Sequence, residues 1–157
     1  MLEGRLAQQG WSSPCPPPVD FATGAAVPVP RLLDAVSIAI ARDEVFSFLY
    51  PANLELLDTL GTRNTTFSPP ADEPLPEADA VYLPGGYPEL HLDRLSVSRT
   101  TKDTLHAHAA AGKPVYAECG GMLYLLESLT DRAGMSGTML GLMPGHAAAC
   151  RNRAAGG

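Results

Sequence analysis

The sequence predicts an α/β fold in which a mostly parallel sheet is covered by helices on both faces. Short β-favouring runs alternate with segments of helical spacing, in the order strand, helix, strand, strand, helix, strand, helix. Two of the strands run directly into glycine pairs, at 85–86 and at 120–121. Because the carboxyl ends of parallel strands meet at one edge of a sheet, we expect both glycine turns at the same edge.

Composition favours one soluble globular domain. Of the 157 residues 45% are hydrophobic and 18% are charged, and no apolar run is long enough to span a membrane. The formal charge of −6 argues against a nucleic-acid partner, because phosphate binding needs clustered Lys and Arg. The cysteines (Cys15, Cys119 and Cys150) are odd in number and irregular in spacing, and no signal pattern opens the chain. We expect a reduced, cytoplasmic protein without a metal site.

The amino-terminal third begins as a linker and continues as a strand and a helix. Residues 1–33 are rich in proline and have little periodicity, which is typical of an arm. Residues 35–41 are small and β-branched, as in a strand buried on both faces. Beyond the loop 42–50, leucines follow helical spacing between Pro51 and Gly61, so a helix should cover this strand.

The middle of the chain supplies the next three elements. Residues 62–68 form a weaker, more polar strand, and an acidic loop follows it. Residues 80–83 form a third strand that leads into the first glycine pair. A helix capped by Thr100 or Thr101 then precedes a strand at 115–117.

Cys119 lies at the corner where that last strand meets a helical pattern. Gly120 and Gly121 let the backbone turn sharply and let another group approach closely. The first turn of a helix favours a thiolate, and its free N–H groups can hold an oxyanion. The corner therefore predicts a cysteine nucleophile, although a buried cysteine taken alone is usually inert packing and a glycine pair taken alone can be any tight turn. The helical pattern that follows it comprises Met122, Leu125, Leu126 and Leu129.

Three segments, at 46–54, 84–91 and 117–121, together resemble the glutaminase domain of cobyrinic acid (or hydrogenobyrinic acid) a,c-diamide synthases. The resemblance runs from about Ala35 to Gly145. It implies a class I glutamine amidotransferase of flavodoxin-like fold over residues 34–145, incomplete at its carboxyl terminus. Residues 1–33 then correspond to the arm that joins the family's ATP-binding synthetase domain, and 146–157 to a disordered tail. The glutaminase half of cobyric acid synthase ranks second, because its turn usually lacks the continuation seen at 86–91.

The resemblance also implies roles for individual residues. Cys119 matches the nucleophile that attacks the side-chain amide of glutamine, and Gly85, Gly86 and Gly120 match the positions that bind glutamine and its oxyanion. Ammonia is then passed to the synthetase domain, which uses ATP and Mg²⁺ to activate the a and c carboxylates of a corrinoid in cobalamin biosynthesis. No cofactor is expected on this chain, which contains no GxxxxGK[ST] loop.

The sequence departs from the family after the nucleophile. The family's catalytic histidine lies in a Ser-Tyr-x-His-x-His type segment, whereas His146 is the only histidine after Cys119 here. We do not assign it the catalytic role. A general base is worth ~10² to 10⁴ in rate, so we expect severely reduced glutaminase activity. We also expect marginal stability, because without the family's later strands an apolar face or edge of the sheet is left uncovered. Three interpretations stay open, namely a partial glutamine amidotransferase, a silent fragment that docks on a synthetase domain, and a thiol enzyme of redox or hydrolase type.

Other polar residues receive structural roles. Glu118 is expected to have a structural or helix-N-terminal role and not to act as a base beside the thiol, because neighbouring residues at a strand end point apart. His106 and His108 are expected on a solvated helix face, and Cys15 and Cys150 in mobile termini.

Overall fold

Four parallel strands form the central sheet of the computed structural model, which describes residues 28–149. The strands are β1 (Ser37–Ala41), β2 (Arg63–Phe67), β3 (Ala80–Leu83) and β4 (Val115–Ala117). Their spatial order is β2, β1, β3, β4, and each neighbouring pair is parallel. The predicted α/β fold with a parallel sheet is confirmed.

β1 supplies the centre of the core. Ala39, Ile40 and Ala41 are almost completely buried, and β1 has a strand on each side. Ala35, the first residue of the predicted strand, has φ of 67° and belongs to a turn, so β1 begins at Ser37. β2 lies at the edge of the sheet, which explains its polar sequence.

The helices are α1 (Pro51–Leu60), α2 (Leu92–Val97), α3 (Arg99–Ala110) and α4 (Gly120–Leu125). α1 begins with Pro51 and ends at Gly61 in the left-handed conformation, as its sequence predicts. Neither predicted threonine caps α3 with its side chain; instead the carboxylate of Asp72, from the loop after β2, accepts the N–H of Thr101 at 3.0 Å. Among residues 28–149, no helix has the length and apolar character needed to cross a bilayer.

A second, three-stranded sheet follows α4 and was not predicted. It consists of β5 (Ser128–Thr130), β6 (Ser136–Thr138) and β7 (His146–Ala148), with β5 in the middle. β5 pairs antiparallel with β6 and parallel with β7.

This sheet corrects two expectations. The predicted helical pattern through Leu129 is interrupted, because the backbone becomes extended at Leu126 and Leu129 is buried from a strand instead. Residues 146–148, expected in the tail, pair with β5. Residues 150–157 of that tail, residues 1–27 of the arm, and the predictions for Cys15 and Cys150 lie outside the described residues.

Candidate active site

The nucleophile corner is a backbone turn between β4 and α4. Cys119 has φ of 49° and ψ of −117°, a combination that a side chain with a Cβ adopts only at a cost, and its side chain is exposed. The turn is closed by the Gly121 N–H, which donates to the Glu118 carbonyl at 2.8 Å. A Cβ on Gly121 would lie 2.0 Å from the Leu83 carbonyl oxygen, so only glycine fits there. The sharp corner predicted from the two glycines is present.

The glycine turn after β3 packs against the backbone of the loop that follows β1. The Phe48 N–H donates to the Gly85 carbonyl at 3.0 Å, and the Tyr87 N–H donates to the Val45 carbonyl at 3.0 Å. A Cβ on Gly86 would lie 1.7 Å from the Val45 oxygen. The chain therefore approaches Gly86 too closely for any side chain.

The two turns meet, as expected for carboxyl ends of parallel strands. A Cβ built on Gly120 would lie 2.5 Å from the Gly86 oxygen and 2.8 Å from the Gly86 nitrogen. A Cβ built on Gly85 would contact the Cys119 Cβ at 3.4 Å. All four residues singled out in the sequence thus lie together. Within residues 28–149, neither the Gly86 N–H nor the Gly120 N–H donates to a backbone carbonyl.

Glu118, next to the thiol, is bound by two tyrosines that the sequence did not point to. The Tyr82 hydroxyl donates to one carboxylate oxygen at 2.5 Å, and the Tyr116 hydroxyl donates to the other at 3.3 Å. Burial, and after it the hydrogen bond to Glu118, raise the pKa of Tyr82 well above its usual range. The sequence signal that could have found them is the alternation of side chains along β3 and β4, because Tyr82 and Tyr116 are paired across the two strands.

These three side chains also line a groove between α1 and the sheet. The groove has a volume of about 320 Å³, and the apolar residues along it are Ile38, Leu56, Leu57, Ala80 and Val81. α1 covers the sheet only loosely, because none of its residues is fully buried.

No histidine among residues 28–149 hydrogen-bonds to the Cys119 thiol. His146 contacts the Ser128 hydroxyl through Nδ1 at 2.8 Å and the Glu127 carboxylate through Nε2 at 3.4 Å. His106 Nε2 lies 2.7 Å from the Leu140 carbonyl oxygen.

His108 corrects a prediction. It is buried, with Nε2 3.2 Å from the carbonyl oxygen of Pro114, and not on a solvated face. The reason is the return of the chain from α3 into β4, which brings Pro114 over the helix. Within the described part of the chain, no three His, Cys, Asp or Glu side chains are grouped so that they could hold a metal ion.

Comparison with known proteins identifies close relatives. The chain is 54% identical over 132 residues to the hydrogenobyrinate a,c-diamide synthase of Pseudomonas aeruginosa. The aligned residues make up 84% of this chain and 30% of that protein. It is 45% identical over 139 residues to the cobyrinate a,c-diamide synthase of Herminiimonas arsenicoxydans, covering 88% and 32%. The corresponding protein of Dehalococcoides mccartyi is 44% identical over 131 residues, covering 83% and 27%. The chain thus spans about a third or less of the length of these relatives.

Comparison with protein families locates the matching domain. Residues 37–156 match the CobB/CobQ-like glutamine amidotransferase domain, a range that includes β1, both glycine turns and Cys119. The match confirms the resemblance drawn from the three segments. The chain therefore belongs to the family of CobB/CobQ-like glutamine amidotransferase domains.

Proposed function

We propose that this chain is the glutaminase part of an ATP-dependent amidoligase and that Cys119 is its nucleophile. The observation that supports this most is the backbone of Cys119, which keeps a conformation costing about 1 to 3 kcal/mol at the one point where the two glycine turns touch. Glycine at 119 would avoid that cost. An exposed thiol on a strained backbone, close to two N–H groups that donate to no backbone carbonyl among residues 28–149, suits acyl transfer from glutamine.

The chemistry follows from the groups at the two turns. The Cys119 thiolate attacks the side-chain amide carbon of glutamine, and the C–S bond forms as the carbonyl becomes an oxyanion. The Gly86 and Gly120 N–H groups stabilise that oxyanion, and Gly85 lines the glutamine site. The C–N bond then breaks, and the leaving nitrogen takes up a proton and departs as ammonia. Water attacks the resulting thioester, a second oxyanion forms at the same place, and glutamate leaves with the thiol restored.

Proton transfer is the step that the described residues support least. The ring nitrogens of His106, His108 and His146 contact other groups and not the thiol. We therefore expect glutamine turnover by the 157-residue chain to be slower by ~10² to 10⁴ than in an enzyme with a positioned base.

The names of the relatives support the wider reaction that we propose. All three are a,c-diamide synthases of hydrogenobyrinate or cobyrinate, and this chain matches only part of each. We infer that ammonia released at Cys119 passes to a synthetase domain, which uses ATP and Mg²⁺ to amidate the a and c carboxylates of the corrinoid in cobalamin biosynthesis. The names favour this over the cobyric acid alternative. The need for a free thiol supports a cytoplasmic location.

The test is modification of Cys119 by a chloroketone analogue of glutamine, measured by mass spectrometry of the purified chain. Cys15 and Cys150 serve as internal controls in the same digest. Selective modification of Cys119 that free glutamine suppresses is the expected result. Equal modification of all three cysteines, unaffected by glutamine, would contradict the proposal.

The absence of a histidine contact at Cys119 within residues 28–149 favours a second candidate, a silent fragment that docks on a synthetase domain. Its signature is tight binding to a separately supplied synthetase domain without glutamine-protected modification of Cys119. Modification together with glutamine dependence would exclude both this candidate and redox chemistry at the thiol.

A further inference from the structure

The β1 loop, residues 42–50, lies against both halves of the candidate site. Its backbone pairs with the turn on either side of Gly86, through Phe48 to Gly85 and through Tyr87 to Val45. Its Phe46 ring packs against the ring of Tyr124 on α4, with centroids 5.5 Å apart. Any shift of the loop therefore changes the position of the glycine turn relative to the nucleophile.

Close packing prevents the glycine turn from moving independently of the β1 loop. Val45 and Phe46 are completely buried on one side of Gly86. Gly120 also approaches Gly86 so closely that it has no room for a Cβ. The orientation of the Gly85–Gly86 peptide is thus imposed by the β1 loop, because a packed backbone cannot rotate independently of its neighbours.

One carboxylate holds the loop in this shape. Asp43 Oδ1 accepts the Val45 N–H at 2.8 Å and the Phe46 N–H at 3.0 Å. Asp43 Oδ2 accepts the Ser68 hydroxyl at 2.9 Å, which ties the loop to the segment after β2. The neighbouring ion pair of Glu44 with Arg94 is half exposed and contributes little. Asp43 is therefore the group on which the conformation of the loop depends.

We propose that Asp43 is a positioning residue for glutamine hydrolysis: by fixing the β1 loop, it sets the Gly86 N–H in place to receive the oxyanion beside Cys119. Asp43 touches neither thiol nor substrate in this account. It acts through Val45, whose carbonyl holds the residue after Gly86. The inference rests on the proposed function and adds a residue to it.

Two thiol reagents separate positioning from general damage. With the chloroketone analogue of glutamine, the thiolate adds to the ketone to give an oxyanion. The sulfur then displaces chloride from the neighbouring carbon, and its bond to the carbonyl carbon breaks as the ketone re-forms, which leaves a thioether. With iodoacetamide, the thiolate displaces iodide directly and no oxyanion forms. Loss of oxyanion support slows the first reaction only, so the ratio of the two rate constants at Cys119 reports on the turn.

For Asp43→Ala we expect the maximal rate constant with the chloroketone to fall about 10- to 100-fold, because small misplacements of a catalytic group have effects of this size. The half-saturating concentration and the iodoacetamide rate should not change. Asp43→Asn keeps an oxygen for the Val45 and Phe46 N–H groups and should restore most of the rate. The matched control is Asp79→Ala, which removes a carboxylate that binds Ser37 at the opposite end of β1 and should alter neither reaction.

Each outcome decides the question. Wild-type rates with both reagents in folded Asp43→Ala, or equal losses with both, would overturn the inference while leaving the proposed function intact. If Asp43→Ala does not fold, Ser68→Ala decides: a loss confined to the chloroketone reaction supports the inference, and unchanged rates overturn it. A wild-type chain whose Cys119 shows no glutamine-protected reaction would overturn the proposed function, and this inference with it.

Discussion

The central sheet has an amino edge, where its four parallel strands begin, and a carboxyl edge, where they end. The two are stabilised in different ways. At the amino edge, side chains hold the backbone: the Asp79 carboxylate accepts the N–H and the hydroxyl of Ser37, and Lys113 donates to the Ala78 carbonyl at 2.8 Å. The Asp79 and Lys113 side chains are exposed. At the carboxyl edge, backbone packs directly on backbone at Gly86, Gly120 and Gly121.

This difference shows where the fold is tolerant and where it is not. A side chain at the amino edge can be shortened and water can replace it. At the carboxyl edge no atom can be added without moving a strand end, and Cys119 retains strain that folding must offset. Substitutions that test this contrast should therefore have large effects at the carboxyl edge and small ones at the amino edge.

The largest effect is expected from Gly86→Ala. The new Cβ would lie 1.7 Å from the Val45 oxygen, which is backbone and cannot step aside, so the free energy of unfolding should fall by at least about 3 kcal/mol. Urea denaturation measures it. The matched control is Gly112→Ala, at φ of 73° with no atom within 4 Å, which should cost only about 1 kcal/mol. Equal costs at the two positions would refute the claim that backbone packing restricts the carboxyl edge.

Tyr82→Phe comes next, because it removes a hydrogen bond to the Glu118 carboxylate. A hydrogen bond to a charged group is worth about 1.5 to 3 kcal/mol, so we expect a loss near the lower limit. Tyr116→Phe, which removes a longer bond from an exposed ring, should cost less than about 0.5 kcal/mol. A larger loss for Tyr116→Phe would reverse the assignment of Tyr82 as the main partner of Glu118.

Tyr82 also predicts a pH dependence. Its pKa is raised in the folded state, so the stability it contributes is complete below the unfolded pKa near 10 and is lost as pH rises through the folded pKa. Burial likewise raises the pKa of Tyr124 to about 12. Wild-type protein should lose stability above about pH 10, and Tyr82→Phe should lose less, with Tyr124 accounting for part of the remainder. An unchanged alkaline slope in the variant would show that Tyr82 titrates normally.

Cys119→Gly should stabilise the chain by about 1 kcal/mol, since glycine relieves the strained backbone but adds entropy to the unfolded state. Cys119→Ala keeps the Cβ and should lie within about 0.5 kcal/mol of wild type. Thermal denaturation of the three proteins tests the comparison. If glycine destabilises the corner, the argument that strain is retained there for function fails.

The smallest effect is expected at the amino edge, from Asp79→Asn. The hydroxyl and then the N–H of Ser37 lower the pKa of Asp79, so its contribution is present above the unfolded pKa near 3.9 and is lost as pH falls through the folded value. The melting temperatures of variant and wild type should differ slightly at about pH 6 and converge below about pH 4. A gap that widens in acid would contradict the sign of the shift.

The sequence predicted the parts of the molecule that depend on local pattern. The sequence was enough to predict the buried run of β1, the start and end of α1, and both glycine turns, since each depends on residues adjacent in the chain. The meeting of the two turns followed from the parallel topology alone. Once those were in place, Cys119 and its glycines could be proposed as one site.

Other features depend on contacts between distant segments. The strands β5 to β7 have three residues each and are rich in Ser, Thr, Gly and Ala, so they lack the alternation of apolar and polar residues that predicts a strand. The burial of His108 depends on Pro114, and the partners of Glu118 come from two strands. Asp43 was visible as an acidic residue after a strand, but its role depends on Val45 meeting a turn about 40 residues further on.

The most direct test of the central claim is the response of the Gly86 and Gly120 amide resonances to an aldehyde analogue of glutamine, in which CHO replaces the side-chain amide. The thiol adds reversibly to the aldehyde, and the oxygen so formed occupies the place of the oxyanion. We predict that both amide protons shift downfield, that Gly112 does not, and that Cys119→Ala abolishes the change. An adduct at Cys119 that leaves both resonances unmoved would contradict the account that these two turns form one glutamine site.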